Sequence, residues 1–161
     1  MHRRTFVLAS IATLCLPLNP ARAAALGVGA TLPQMTLDNQ HGVPQAFPGA
    51  GTRFILFAVE KAPSDEVNAY LTDIGAEAMR RHGIVFVADI SGMPAFVTQN
   101  FALPKMRKRP YDILLVTHAA QAAFMPREKD AVTLLRVDQG KITGIGFERN
   151  ALAIKAAIGP V

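Results

Sequence analysis

Residues 53–88, with the sequence RFILFAVEKAPSDEVNAYLTDIGAEAMRRHGIVFVA, decide the fold. The two ends of this stretch, 53–59 and 84–88, are apolar runs without alternation, which predicts strands covered on both faces, as in a parallel sheet. Between them, apolar residues recur at the spacing of one helix face: Val67, Tyr70, Leu71, Ile74 and Ala78. A strand, a helix and a second strand in this order predict a parallel unit with a right-handed connection.

The predicted helix carries signals at both ends. Ser64 is the expected N-cap, and Asp65 and Glu66 follow in the first turn, where the helix dipole favours negative charge. Basic residues at 80–82 suit the other end, and Gly83 is the expected C′ residue.

Weaker patterns extend the fold on both sides. Residues 36–47 predict a loose hairpin, with Pro44 confining its second strand to a sheet edge. Pro94 fits the first turn of a short helix that runs to about Leu103 and stops before Pro104.

The remaining third of the chain predicts strands and a closing helix. Residues 113–116 form an apolar strand, followed by a turn and a weak partner strand near 122–125. A hairpin pairs 132–137 with 141–147 across a tight turn in which Gly140 can take a positive φ. We expect the last helix over 150–158.

Residues 1–23 have the features of a cleaved export signal. Arg3 and Arg4 precede a short apolar run, and Ala21-Arg22-Ala23 offers the small-x-small pattern of a signal peptidase site. The paired arginines resemble a twin-arginine signal, with the general secretory route as the alternative. The apolar run is shorter than the roughly 20 residues of a membrane anchor. We therefore expect a soluble periplasmic protein formed by one domain, residues 24–161.

Removal of the leader changes both charge and redox chemistry. Three of the 17 basic residues and none of the 12 acidic ones lie in 1–23, so residues 24–161 carry a net charge of +2. Both this small excess and the compartment exclude a nucleic-acid partner. The chain has one cysteine, Cys15, which leaves with the leader. Lipidation there is the alternative, but Leu14 is larger than the residue that lipoprotein processing prefers.

Three segments carry a resemblance to a known superfamily. Residues 37–42 (LDNQHG) resemble the N-terminal hairpin of the peroxiredoxin-like branch of thioredoxin-like proteins, and 132–142 (VTLLRVDQGKI) resemble its closing hairpin. Residues 111–125 resemble the insertion that precedes that hairpin. The resemblance implies an α/β fold, a thioredoxin-like three-layer sandwich with a mixed central sheet and helices on both faces.

Within that superfamily the chain is most similar to the YtfJ family of exported bacterial proteins, through residues 61–71, 111–123 and 131–142. The departures from active thioredoxins are informative. Where those proteins have Cys-x-x-Cys after the central strand, this chain has Lys61-Ala62-Pro63-Ser64. The proline before their third core strand corresponds to Val132, or to Pro110 in another register. Without a thiol, the chain is expected to be neither a thiol-disulfide oxidoreductase nor a peroxidase.

Two groups of residues are candidates for function. Ligands of open α/β sheets bind at the carboxyl ends of parallel strands, and there we expect four side chains: Glu60, Lys61, Ser64 and Asp89. The dense basic stretch could dock an acidic partner or anionic lipid headgroups: Lys105, Arg107, Lys108 and Arg109. In both cases the alternative is an ordinary solvated loop.

Other chemistries lack their motifs. The histidines of 24–161 are scattered without metal-ligand spacing, so we predict no metal site. No serine lies in a nucleophile elbow, and no glycine pair opens a dinucleotide-binding turn, so we predict no cofactor. The leading hypothesis is a non-catalytic protein that binds a periplasmic protein or a small ligand. The alternative is an enzyme in which Lys61 acts as base or nucleophile beside Glu60 and Asp89.

Overall fold

The computed structural model describes residues 24–161; the predicted leader and Cys15 lie outside this range. A seven-stranded mixed sheet has the order β2-β1-β5-β4-β3-β6-β7. The strands are β1 (Met35–Asn39), β2 (Pro44–Phe47), β3 (Phe54–Ala58), β4 (Ile84–Asp89), β5 (Ile113–Val116), β6 (Val132–Asp138) and β7 (Lys141–Glu148). The helices are α1 (Lys61–His82), α2 (Ala95–Val97), a π-helical turn (Thr98–Ala102), α3 (Leu103–Met106), a 3₁₀ turn (Ala119–Ala122) and α4 (Ala151–Ile158).

The predicted strand-helix-strand unit is confirmed. Strands β3 and β4 are parallel neighbours, with Leu56 opposite Phe86, and β5 continues the parallel set beyond β4. Strand β6 runs antiparallel to β3 on its other side. The predicted closing hairpin is also present, with Gly140 at φ 79° in its turn. Strand β2, which begins with Pro44, lies at the sheet edge as expected.

The start of α1 differs from the prediction. Ser64 is not the N-cap: Glu60 holds that position with an extended backbone, and the N–H of Ser64 donates to the Glu60 carbonyl at 3.1 Å. Asp65 therefore lies beyond the first turn. Pro63 fits that turn because first-turn amides have no intrahelical acceptor to lose. Glu66 instead binds the start of α4, where its carboxylate accepts from the N–H of Ala151 at 2.8 Å and Asn150 is the N-cap.

The far end of α1 follows the prediction. Gly83 terminates the helix with φ 64° and ψ 38°, the left-handed conformation that glycine adopts without steric cost. A Cβ at Gly83 would lie 2.1 Å from the Gly51 carbonyl oxygen, so the chain also needs glycine for this close approach. One feature was not predicted: Gly75, at φ 79° and ψ 163°, interrupts the helical geometry.

The second helical segment is longer than expected. It does not stop before Pro104 but continues to Met106, with the π-helical turn in its middle. Pro104 is tolerated because it lies at the start of α3, where a missing N–H costs little. The predicted weak strand near 122–125 is also absent. Residues 119–122 form the 3₁₀ turn instead, and Ala122 and Met125 are buried against the sheet.

Two hydrophobic layers flank the sheet. On the first face, α1, α4 and the segment 93–106 pack against Leu56, Phe86 and other strand residues. On the second face, the N-terminal segment and residues 122–125 cover Phe57 and Val87. Successive residues of β3 and β4 belong to opposite layers, because strand side chains alternate between the two faces. Within residues 24–161, no helix has the length and apolar character to span a membrane.

Candidate functional site

A pocket of about 270 Å³ opens at the carboxyl ends of β3 and β4, on the first face of the sheet. It lies between the start of α1 and the helical segment that runs from Met93 to Met106. Its lining is mainly apolar and includes Ala58, Ala88, Ile90, Val97, Phe101 and Ala102. Because ligands of open α/β sheets bind outside the carboxyl ends of the strands, this cavity, the carboxyl-edge pocket, is the candidate site.

A second cleft, of about 550 Å³, lies at the amino ends of β4 and β5, at the end of the sheet opposite the first pocket. Its walls come from the β1–β2 turn, the end of α1 and the start of β5, and include His41, Arg80 and Asp112. Asp112 is already engaged there, since Oδ1 accepts from Asn39 at 3.0 Å. Of the eight predicted site residues, one lines this cleft: Arg109, which lines both cavities.

Charged side chains surround the mouth of the carboxyl-edge pocket. Asp65 lies between two lysines: it accepts a hydrogen bond from Lys61, and its Oδ1 is 3.7 Å from Lys105 Nζ. The hydrogen bond from Lys61 lowers the pKa of the Asp65 carboxyl, partial burial opposes this effect, and Lys105 adds to the lowering. The side chains remain accessible, at 82% exposure for Lys61, 64% for Lys105 and 44% for Asp65.

Asp89 occupies a different environment. Its carboxylate is 2% exposed, and Oδ2 lies 3.0 Å from Arg127 Nη2. That contact lacks the alignment of a hydrogen bond, so it is an ion pair. Oδ1 accepts from the N–H and hydroxyl of Ser91, at 3.0 and 2.6 Å. The Arg127 guanidinium also lies 5.1 Å from the centre of the Phe57 ring, which belongs to the second face.

All four predicted ligand-site residues line this pocket, but two of them have protein partners. Glu60, Lys61 and Ser64 line the pocket, and Asp89 contributes to its lining while its carboxylate pairs with Arg127. Glu60 is engaged as well, because Oε2 accepts from the backbone N–H of Asp130 at 3.2 Å. In the group of Glu60, Lys61 and Asp89, each carboxylate thus has a protein partner other than Lys61.

The predicted basic loop is divided among separate contacts. Lys105 approaches Asp65, as described above, and Arg107 donates to the backbone carbonyl of Gln40 at 2.9 Å. Arg109 donates to the hydroxyl of Thr72 at 3.1 Å. Lys108 is exposed. Two of the four, Lys105 and Arg109, line the carboxyl-edge pocket. The predicted ligand site and the predicted basic loop therefore meet at one pocket, which Lys105 and Arg109 line together with the ligand-site residues.

Exposed aromatic side chains extend the apolar surface around the pocket. Phe96 is 69% and Phe101 is 63% exposed, and their rings meet edge to face with centroids 5.9 Å apart. Val59 and Val97 are 43% and 38% exposed. Large apolar side chains grouped in this way at a pocket mouth are typical of binding surfaces.

Two features of the candidate site were not predicted from the sequence. The sequence places Asp65 near the helix dipole, although its spacing of four from Lys61 also brings the two side chains to one helix face, where they can pair. The sequence predicts the helix over 94–103 but not the apolar pocket wall that it forms, since a π-helical turn breaks the helix period there. No three His, Cys, Asp or Glu side chains of residues 24–161 are placed to hold a metal ion.

Comparison with solved structures decides the fold. The chain is similar to the thioredoxin domain of a thiol-disulfide oxidoreductase from Bacteroides vulgatus, with a TM-score of 0.54 and 12% identity over 84% of this chain and 100% of that one. This chain has the thioredoxin-like fold. An uncharacterised thioredoxin-like protein from Porphyromonas gingivalis gives a TM-score of 0.53 and 18% identity over 82% and 92%.

The peroxiredoxin-like branch is represented too. A peroxiredoxin-like protein from Aquifex aeolicus gives a TM-score of 0.53 and 10% identity over 81% of each chain. No family model matches the chain, and no curated protein does. The predicted α/β, thioredoxin-like fold with its mixed sheet is thus confirmed, and identities this low establish the fold alone.

Proposed function

We propose that the protein is an exported binding protein of the thioredoxin-like fold that works without a thiol. The pocket at the carboxyl edge receives the apolar part of its ligand. The observation that best supports ligand binding is the apolar lining of this pocket, with the exposed Phe101 at its mouth. In active thioredoxins the catalytic cysteines open the helix after the central strand. Here Lys61 and Ser64 stand in the first turns of α1, and none of residues 24–161 is a cysteine.

The enzymatic alternative loses its main support. A lysine base or nucleophile beside two carboxylates needs those groups to converge on one substrate. Lys61 pairs with Asp65, and Asp89 pairs with Arg127. The described residues thus favour binding over catalysis.

The export part of the proposal rests on the leader. The paired arginines and the small-x-small site predict release of residues 24–161 into the periplasm. Intact mass measurement of the protein recovered from the cell envelope tests this step. We expect a chain that begins at Ala24. A recovered form that retains Cys15, acylated or oxidised, contradicts both cleavage and the absence of thiol chemistry.

The binding part is tested with a neutral, environment-sensitive apolar dye such as Nile red. Ala102→Trp places a large side chain in the pocket wall, because Ala102 is half-buried and lines the cavity. Ala95→Trp is the matched control, since Ala95 is exposed on the same segment and does not line the cavity. We expect the first substitution to weaken dye binding at least about tenfold and the control to leave it unchanged.

A second variant guards against a folding defect. Val97→Asp places a charge in the pocket wall at a side chain that is already 38% exposed. We expect it to weaken dye binding while the thermal unfolding midpoint stays within a few degrees of the parent. Equal dye affinity in the parent, Ala102→Trp and Val97→Asp proteins would show that the pocket is not the binding site.

A further inference from the structure

The charges around the pocket mouth identify the class of ligand. Arg127 neutralises the charge of Asp89. The other charged side chains that line the cavity are two carboxylates and three cationic groups, Lys61, Lys105 and Arg109. One carboxylate, Glu60, accepts from the backbone of Asp130. The other, Asp65, is shared by two lysines. The rim therefore carries an excess of positive charge beside an apolar cavity.

Asp65 occupies the position in which the anionic group of a ligand would meet Lys61 and Lys105. Two ammonium groups converge on one carboxylate at the entrance, so the protein supplies an internal anion at a place where a ligand's anion would bind. Lys61 and Lys105 are both more than half exposed, and their contacts with Asp65 are surface ion pairs that contribute little to stability. A carboxylate from outside can therefore share or replace Asp65 as their partner at small cost.

We infer that the pocket binds a small amphipathic carboxylate. Its short hydrocarbon chain would occupy the apolar cavity, and its carboxylate would lie against Lys61 and Lys105. The volume of about 270 Å³ is just below the range of about 300–1,000 Å³ for small-molecule pockets, so the chain should be short. This inference rests on the proposed function, because it names the ligand of the same pocket.

Three probes with one eight-carbon chain separate the two claims: octanoate, 1-octanol and octylammonium. Their affinities are measured by displacement of the neutral dye at low salt, where surface charges are screened least. We expect octanoate to bind about three- to fivefold more tightly than octanol, and octylammonium to bind more weakly than either. Raising the salt concentration should reduce the difference between octanoate and octanol.

Substitutions at the rim sharpen this test. Asp65→Asn removes the internal anion, so octanoate should bind about threefold more tightly while octanol is unaffected. Lys105→Gln should weaken octanoate by a similar factor. Asp73→Asn and Lys155→Gln are matched controls, because those residues form a similarly exposed pair between α1 and α4 that does not line the pocket. Neither control should change the affinity for octanoate.

The outcomes distinguish the two proposals. If none of the three probes displaces the dye in a way that Ala102→Trp abolishes, the pocket is not a binding site and the proposed function fails. If octanol displaces the dye as well as octanoate does, and Asp65→Asn changes neither, the binding function stands and the assignment of an anionic ligand is overturned. Tighter binding of octylammonium would overturn it as well.

Discussion

The two faces of the sheet differ at the same carboxyl edge. On the first face, charged side chains surround a cavity and remain open to solvent, with exposures from 44% at Asp65 to 82% at Lys61. On the second face, the Asp89 carboxylate is 2% exposed and is enclosed by Arg127 and Ser91. One face holds charges that a ligand can reach, and the other uses charges to join the chain to itself.

This difference arises from strand geometry. Ala88 and Asp89 are neighbours in β4, but strand side chains alternate between faces. Ala88 therefore belongs to the pocket layer, and Asp89 pairs with Arg127, whose guanidinium lies over the ring of Phe57. Asp89 borders the pocket, but its carboxylate is turned to Arg127. At this edge of the sheet, the comparison predicts that the charged pair of the second face contributes to stability and that the charges of the first face contribute to binding.

The largest expected effect follows from breaking the buried pair. Arg127→Ala leaves the Asp89 carboxylate buried without a cationic partner, and we expect a loss of about 3 kcal/mol in the free energy of unfolding, measured by urea denaturation. Two hydrogen bonds from Ser91 remain and limit the loss. Any change in dye affinity should be no more than about twofold once unfolded protein is accounted for.

Two further variants control this prediction. Arg81→Ala breaks an exposed pair with Glu77 on α1, and it should cost less than about 1 kcal/mol. Asp89→Asn added to Arg127→Ala should recover part of the loss, because the buried charge is then removed. A cost below about 1 kcal/mol for Arg127→Ala would mean that the second face is not held by this ion pair.

The next effect concerns pH on the open face. Interaction with Lys61 lowers the pKa of Asp65 in the folded state, so ionised Asp65 stabilises the fold above its unfolded pKa of about 3.9. This stabilisation is lost as the pH falls through the folded pKa, where Asp65 becomes protonated. We expect Asp65→Asn to be less stable than the parent by under about 1 kcal/mol at pH 7, because the pair is half exposed.

Urea denaturation of both proteins at pH 7, 4 and 3 measures this dependence. The difference between parent and Asp65→Asn should shrink as the pH falls below about 4. A difference that grows towards low pH would contradict the direction of the Asp65 shift. The control Asp73→Asn tests whether any exposed carboxylate on α1 behaves in the same way.

Local patterns in the sequence were sufficient for much of the fold. The parallel strands followed from unbroken apolar runs, and the end of α1 followed from Gly83, whose φ of 64° favours glycine. The closing hairpin followed from a tight turn with Gly140 at φ 79°. Each of these features depends on residues close together in the chain.

The predictions failed in three places, and in two of them contacts between distant residues decide the structure. Ser64 has the composition of an N-cap, yet β3 ends at Ala58 and the chain turns into α1 three residues earlier, at Lys61. Residues 122–125 are apolar enough for a strand, but Ala122 and Met125 fill the second hydrophobic layer instead. The approach of Lys105 to Asp65 joins positions 40 residues apart, which no local pattern could predict.

The smallest expected effect on stability tests the comparison from the open side. Phe101 is 63% exposed, and its edge-to-face contact with Phe96 involves another exposed ring. Phe101→Ala should therefore change the free energy of unfolding by no more than about 0.5 kcal/mol. Phe101 also lines the pocket, so the same substitution should weaken dye binding about threefold or more. Phe147→Ala, at a partly exposed aromatic residue on β7 outside the pocket, is the control. Phe101→Ala and Arg127→Ala together separate the two faces. Arg127→Ala should lower stability and preserve binding, and Phe101→Ala should weaken binding and preserve stability. If both substitutions lower stability and binding in proportion, the carboxyl edge acts as one coupled unit and the division between its faces is wrong.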